Sequence, residues 1–295
     1  MGKTHIERSG TMTLPILLFQ GGTHGNFLSR CLSVASGAIP DFDFYGSNHG
    51  AHASIGSKRI IDHFHEDELS LKDENNIFVY ISIDHSDLYI LLWYTMLAAG
   101  EFGADVLTIK DFDDMEKILN QKTRYAQILK NNIRKQVDIF KNDDIRGMRE
   151  FFKDLIKVTA KSFFERQEDV LNRHNIENIF KFAWFYDQEI FCKQVEKLLV
   201  DLGYNYKVDI AHHQQTFLDR KQNIIQSKKL VELAFECYTS NTSMDISNFC
   251  LYEQSYLDYL IEQHLGYEIE IYVEYPTNTQ DLNPTKAWEG VRYEL

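Results

Sequence analysis

The segment Gln20-Gly21-Gly22-Thr23-His24-Gly25-Asn26 holds the residue types best suited to chemistry on an anion. Glycines let a backbone fold tightly and approach a ligand closely, and Thr23, His24 and Asn26 add polar side chains. The apolar run Ile16 to Phe19 stops abruptly where this segment starts. Beyond it, Phe27, Leu28, Cys31, Leu32 and Ala35 recur at helical spacing. The pattern predicts a buried strand that turns sharply into a helix N-terminus. Such a junction collects N–H groups with no acceptor inside the helix and adds the positive end of the helix dipole. Gly21, Gly22, Thr23, His24, Gly25, Asn26 and Phe27 therefore form a candidate seat for phosphate or sulfate. The competing reading is a plain tight turn, in which Gly and Asn are equally ordinary. No Gly-Lys-Ser/Thr follows the glycines, so the Walker A lysine is missing, and the spacing is not G-x-G-x-x-G.

Other residues invite different chemistry. His49, His52, His63 and His65 suggest a metal, since His-x-His on a strand shares one face and Glu66 or Asp67 could add oxygen. Neither a cysteine pair nor an H-E-x-x-H helix supports that idea, and no metal is expected. His212-His213 opens a predicted helix, where neighbouring side chains face different ways. Asp84-His85-Ser86-Asp87 could serve magnesium, but Ser and Asp at that position read first as a helix N-cap.

These residues need elements to position them. Residues 1–13 are polar and read as loosely held, and residues 37–57 as a long loop. Residues 59–65 suggest a short second strand ahead of an acidic turn. Ile77 to Ile83 is the strongest strand, its unbroken apolar character suiting a central position in a parallel sheet. A helix from Leu88 to Ala99 follows. Residues 111–175 have helical texture, and their charged residues are expected on solvated faces. Asn178 to Tyr186 reads as a strand, and Asp187 caps a helix that stops at Gly203. Further helices are expected at 213–237 and 248–265, and an edge strand at Glu268 to Tyr275. Large aromatics such as Trp93, Tyr94, Trp184, Phe185 and Tyr186 read mainly as core, with room for one or two to stack on a base or sugar. The expectation is an α/β fold over 1–295 as a single domain, with a helical insertion at about 111–175.

Composition narrows the partners. The chain has 295 residues, 44% hydrophobic and 13% aromatic, ample for a substantial core. A net charge of −13 argues against a broad nucleic-acid or acidic-membrane surface. It leaves open a small anionic ligand held by backbone amides. Cys31, Cys192, Cys237 and Cys250 are widely spaced, as free thiols in a reducing compartment would be. Leu14 to Phe19 is too short for a signal peptide, and no apolar run approaches a membrane span. The expected location is cytoplasmic.

The order of elements resembles the sulfotransferase family. Three blocks carry the likeness: Ile16 to Leu32, Ile77 to Met96 and Phe180 to Gly203. It is also similar to uncharacterised phage and marine bacterial proteins with a like glycine-rich opening. The resemblance implies a P-loop-type three-layer sandwich with a mainly parallel central sheet. It further implies that 3′-phosphoadenosine 5′-phosphosulfate (PAPS, or its product PAP) lies against the first turn. Its 3′-phosphate would be held near Ser86, and a hydroxyl-bearing small molecule or glycan would accept the sulfuryl group. The family's general base is a histidine shortly after the second strand, which implies His65 or His63, with His65 favoured as nearer the strand end. The departures are plain: no lysine stands in the turn, and Asp84 and His85 stand where an arginine is expected. A nucleotide-binding phosphotransferase of the same architecture and a non-catalytic binding or assembly module remain the alternatives.

Overall fold

The computed structural model describes residues 14–41, 60–65, 77–92, 110, 114, 137–266 and 281–282. The elements on which the fold turns are β1 (Ile16–Phe19), α1 (Gly25–Ala35), β2 (Asp62–His65), β3 (Phe78–Ser82), α2 (Leu88–Leu92), α3 (Val137–His174), β4 (Asn178–Lys181), α4 (Gln188–Asp201), α5 (Ala211–Thr239), β5 (Met244–Asp245), α6 (Leu251–Leu265) and β6 (Asp281–Leu282). Internal contacts divide the chain into two compact units, residues 1–84 with 167–219 and residues 85–166 with 220–295. The expected strand at Glu268 to Tyr275, the acidic turn and most of the long loop lie outside the described residues.

The first unit carries a four-stranded sheet in the order β2-β1-β3-β4. Every pairing is parallel, with Leu18 opposite both Phe64 and Tyr80, and Tyr80 opposite Ile179. The fold class is α/β, as the apolar runs predict. Successive residues of each strand face opposite ways, and both faces are packed. On one side Ile16, Leu18 and Tyr80 form a core with Val170 near the end of α3. On the other, Phe180 of β4 meets Phe191 of α4, which stacks on Phe27 of α1 at 5.5 Å. α4 starts as its sequence requires: the Asp187 side chain accepts from the Ile190 N–H at 2.8 Å. It ends before Gly203, whose φ of 80° is the left-handed conformation that glycine adopts without strain.

One expectation fails in this unit. The strand at 178–186 ends at Lys181, and Phe182–Tyr186 wind instead into a 3₁₀ turn. Aromatic composition suits a strand and a buried turn equally. The turn wins because it lets Phe182 and Phe185 bury against His24.

In the second unit α3 packs with α6 through buried charges. Arg149 makes a two-pronged pair with Asp258, both side chains being almost fully buried. Lys153 bridges Glu150 at 2.8 Å and Glu262 at 2.9 Å, and Lys157 reaches Glu262 at 2.6 Å. Charged residues of the 111–175 region are expected on solvated faces; among the described residues Arg149 and Lys153 depart from this, because acceptors on α6 meet them. Beside this network, Tyr89, Tyr252 and Tyr256 are buried, and burial pushes each phenol well above its ordinary range. Among the described residues no helix is long and apolar enough to cross a membrane.

Lys221 of α5 yields a pH prediction. Burial holds its ammonium down at about 8, against an ordinary 10.5. Below pH 8 the group is charged whether folded or not, and the folded state carries the full desolvation cost. Between pH 8 and 10.5 the folded state sheds the proton first, so this group's contribution to stability rises with pH across that window. Lys221→Met is expected to stabilise the chain at pH 7 by about 1–2 kcal/mol and to flatten the rise toward pH 10. Urea midpoints at the two pH values measure both effects. A variant no more stable than the parent at pH 7 would refute them.

Candidate functional site

Five residues separate β1 from α1, and their backbone is closed by local bonds. Thr23 donates from both its N–H (3.2 Å) and its hydroxyl (2.8 Å) to the Gln20 carbonyl. Gln20 is itself buried, its amide donating to the Tyr80 hydroxyl of β3 at 3.2 Å. Gly22 has φ 88°, and His24, the N-cap of α1, has φ 62°. A left-handed histidine is uncommon and must be held from outside. Its ring supplies the hold. His24 Nε2 lies 2.7 Å from the Tyr186 hydroxyl, the ring stacks on Phe182 at 5.2 Å, and Phe217 of α5 meets it edge-on at 4.9 Å.

The first helical bond of α1 runs from Leu28 N–H to the His24 carbonyl at 3.1 Å. N–H groups in the first turn of a helix have no acceptor within that helix. Gly21 is exposed and a Cβ built there would meet nothing within 4 Å, so the turn is open on that side. Gly25 differs: a Cβ there would sit 2.3 Å from two carbons of the Phe19 ring. The reason for glycine at this position is the packing behind the turn.

β1 is flanked by β2 on one side and β3 on the other. In open parallel sheets the crevice beyond the carboxyl ends of the strands, at the point where connections diverge to either side, is the usual ligand site. Gln20 to Asn26 follow β1 there, and Ile83 and Asp84 follow β3. The Gln167 side chain clamps Ile83 from both sides, accepting from its N–H at 2.9 Å and donating to its carbonyl at 3.2 Å. The register sets His65 opposite Phe19, at the end of both strands, and His63 opposite Leu17, two residues deeper. Ser86 belongs to the second unit, exposed within the 3₁₀ turn His85–Asp87. His49, His52, Glu66 and Asp67 lie outside the described residues.

Two cations escaped the sequence reading. Lys181 pairs in register with Ser82 at the carboxyl end of β4, exposed, with its Nζ 3.9 Å from Asp84. Arg30 is buried within α1. The first offsets the carboxylate that the sequence sets at this edge. Its signal was position: a lysine at a strand's end becomes informative once the strand's end is known. Arg30 could have been noticed as a charge among the apolar positions of α1.

The chain matches no family model, no curated protein and no solved structure.

Proposed function

We propose that this chain is a sulfotransferase-like enzyme that seats the phosphate end of PAPS at the β1–α1 turn and passes the sulfuryl group to a hydroxyl. The observation that carries the proposal is a juxtaposition. His65 ends β2 opposite Phe19, the last residue of β1, and the glycine turn begins at the residue that follows. A base and an anion seat thus share one sheet edge. In the reaction, the acceptor oxygen attacks sulfur, the bond from sulfur to the nucleotide phosphate oxygen breaks, and His65 takes the hydroxyl proton. First-turn amides of α1 stabilise the charge left on the phosphate. Helices packed on both faces of the parallel sheet support a three-layer, P-loop-like architecture.

A non-catalytic binding module has one observation in its favour: the His24 ring is committed to the aromatic nest around Tyr186. Thermal shift separates the readings. PAP at a hundred times its dissociation constant is expected to stabilise the fold by about 2.7 kcal/mol. ATP with magnesium is expected to do so far less. Protection by ATP-magnesium alone would transfer the site to phosphotransferase chemistry. Silence from both nucleotides would leave a module without nucleotide chemistry.

A further inference from the structure

The first turn of α5 brings together residues that no part of the sulfuryl-transfer proposal uses. His213, with 2% of its side chain exposed, places Nε2 at 2.6 Å from Asp41 Oδ1. His212 Nε2 lies 3.6 Å from the same oxygen, its side chain 58% exposed. Adjacent residues of a helix ordinarily point about 100° apart. Here the two imidazoles converge, with centroids 3.7 Å apart and their planes tilted by 42°. The donor atoms of all three residues fall within 4.8 Å of one another.

Local structure explains the convergence. Lys207 and Val208 both donate backbone N–H groups to the Ala35 carbonyl, tying the approach to α5 to the end of α1. Asp41 follows shortly after that end. The turn of α5 is fixed in its own right, since Ala211 N–H donates to Asp209 Oδ1 at 2.9 Å and His213 N–H to the Ile210 carbonyl at 3.0 Å. Gln188 of α4 donates to the Ala211 carbonyl at 2.8 Å, bracing the same turn.

We propose that Asp41, His212 and His213 bind a divalent cation of the zinc class, with its outward positions left to water. Two imidazoles and one carboxylate form a borderline donor set that suits zinc and its first-row neighbours, and three protein ligands leave the sphere open. Zinc bonds of about 2.0–2.1 Å set tetrahedral ligand atoms about 3.3–3.5 Å apart. The 3.6 Å separation is close to that spacing, and the 2.6 Å one needs to open by somewhat under an ångström. The ion would brace the start of α5, whose next turns carry Phe217 against His24.

The test is titration of the full chain with Zn²⁺ by calorimetry and with Co²⁺ by visible absorption. Stoichiometric Zn²⁺ binding and the intense Co²⁺ bands of a low-coordinate nitrogen–oxygen site are expected. Asp41→Asn keeps the shape of an exposed side chain and removes its charge; His213→Ala removes the buried ligand. Each is expected to weaken Zn²⁺ by more than the roughly 10–100-fold that losing an outer-shell partner costs. A parent chain that takes up no Zn²⁺ would reduce the trio to an ion pair. The chain has eleven histidines. Binding that survives Asp41→Asn unchanged would place the metal on others of them and overturn the proposal.

Discussion

Gly25→Val is expected to destabilise the sheet-bearing unit by about 2–4 kcal/mol. Opposing effects meet at this position. Replacing a helical glycine ordinarily gains up to about 1 kcal/mol, because the unfolded chain loses freedom. Against this, a Cβ would stand 2.3 Å from the Cγ and Cδ1 atoms of Phe19. Cγ lies at the root of the ring, so the whole side chain must move, and Phe19 is 3% exposed in close-packed surroundings. Overpacking therefore wins, and valine's second branch adds to it. Gly25→Ala isolates the steric part, with a smaller loss of about 1–2 kcal/mol. Phe19→Leu in that background is expected to recover much of it, which makes the coupling between the two sites the decisive quantity. Hydrogen exchange at the β1 and β3 amides reads the stability of this unit separately from the other. A Gly25→Ala chain as stable as the parent would remove the packing explanation and return Gly25 to the role of a ligand-facing residue.

Gly25 also shows what was legible in the sequence. That a turn stands between β1 and α1 follows from local pattern, as do the parallel strand at Phe78–Ser82 and the Asp187 cap of α4. Each depends on neighbours within a few residues. Why Gly25 must be glycine depends on where the Phe19 ring packs, which the sequence does not show. The same division runs through the second unit. The apolar spacing of α3 identifies a helix, yet Arg149 is buried because Asp258 lies across from it, 109 positions away. A helical wheel assigns a charged residue to solvent unless its partner is known. His212 and His213 make the point most strongly. As neighbours on a helix they read as diverging, and only Asp41, 172 positions from His213, gives the rings a common target.

The candidate site divides in the same way. Gly21 to Asn26 could be singled out because their types are unusual for a chain leaving a buried strand. The choice between His65 and His63 could not be settled by composition, because both belong to one short strand. Which of the two stands nearer the strand end is a matter of register, and among the described residues β2 pairs with β1. Lys181 was invisible for a related reason. Its value comes from ending β4 beside Asp84, and the sequence had carried that strand five residues too far, to Tyr186.

His65→Ala carries the proposed chemistry, and sulfuryl transfer is expected to fall by about 10²–10⁴-fold. That range corresponds to about 3–5 kcal/mol of barrier. PAP affinity is expected to stay within a few-fold of the parent, because the proposed phosphate seat lies in the β1–α1 turn and not on β2. A fall in kcat with unchanged PAP binding is the signature of a group acting on the acceptor's proton. His63→Ala is the internal control. It lies opposite Leu17, away from the strand ends, and is expected to leave kcat within a few-fold. Turnover undiminished in His65→Ala would remove the base from that strand. Loss of turnover in His63→Ala instead would mean that the acceptor reaches deeper along β2 than the strand end. If both substitutions abolished PAP binding, the two histidines would belong to the nucleotide seat, and the division of labour between β1 and β2 would fail.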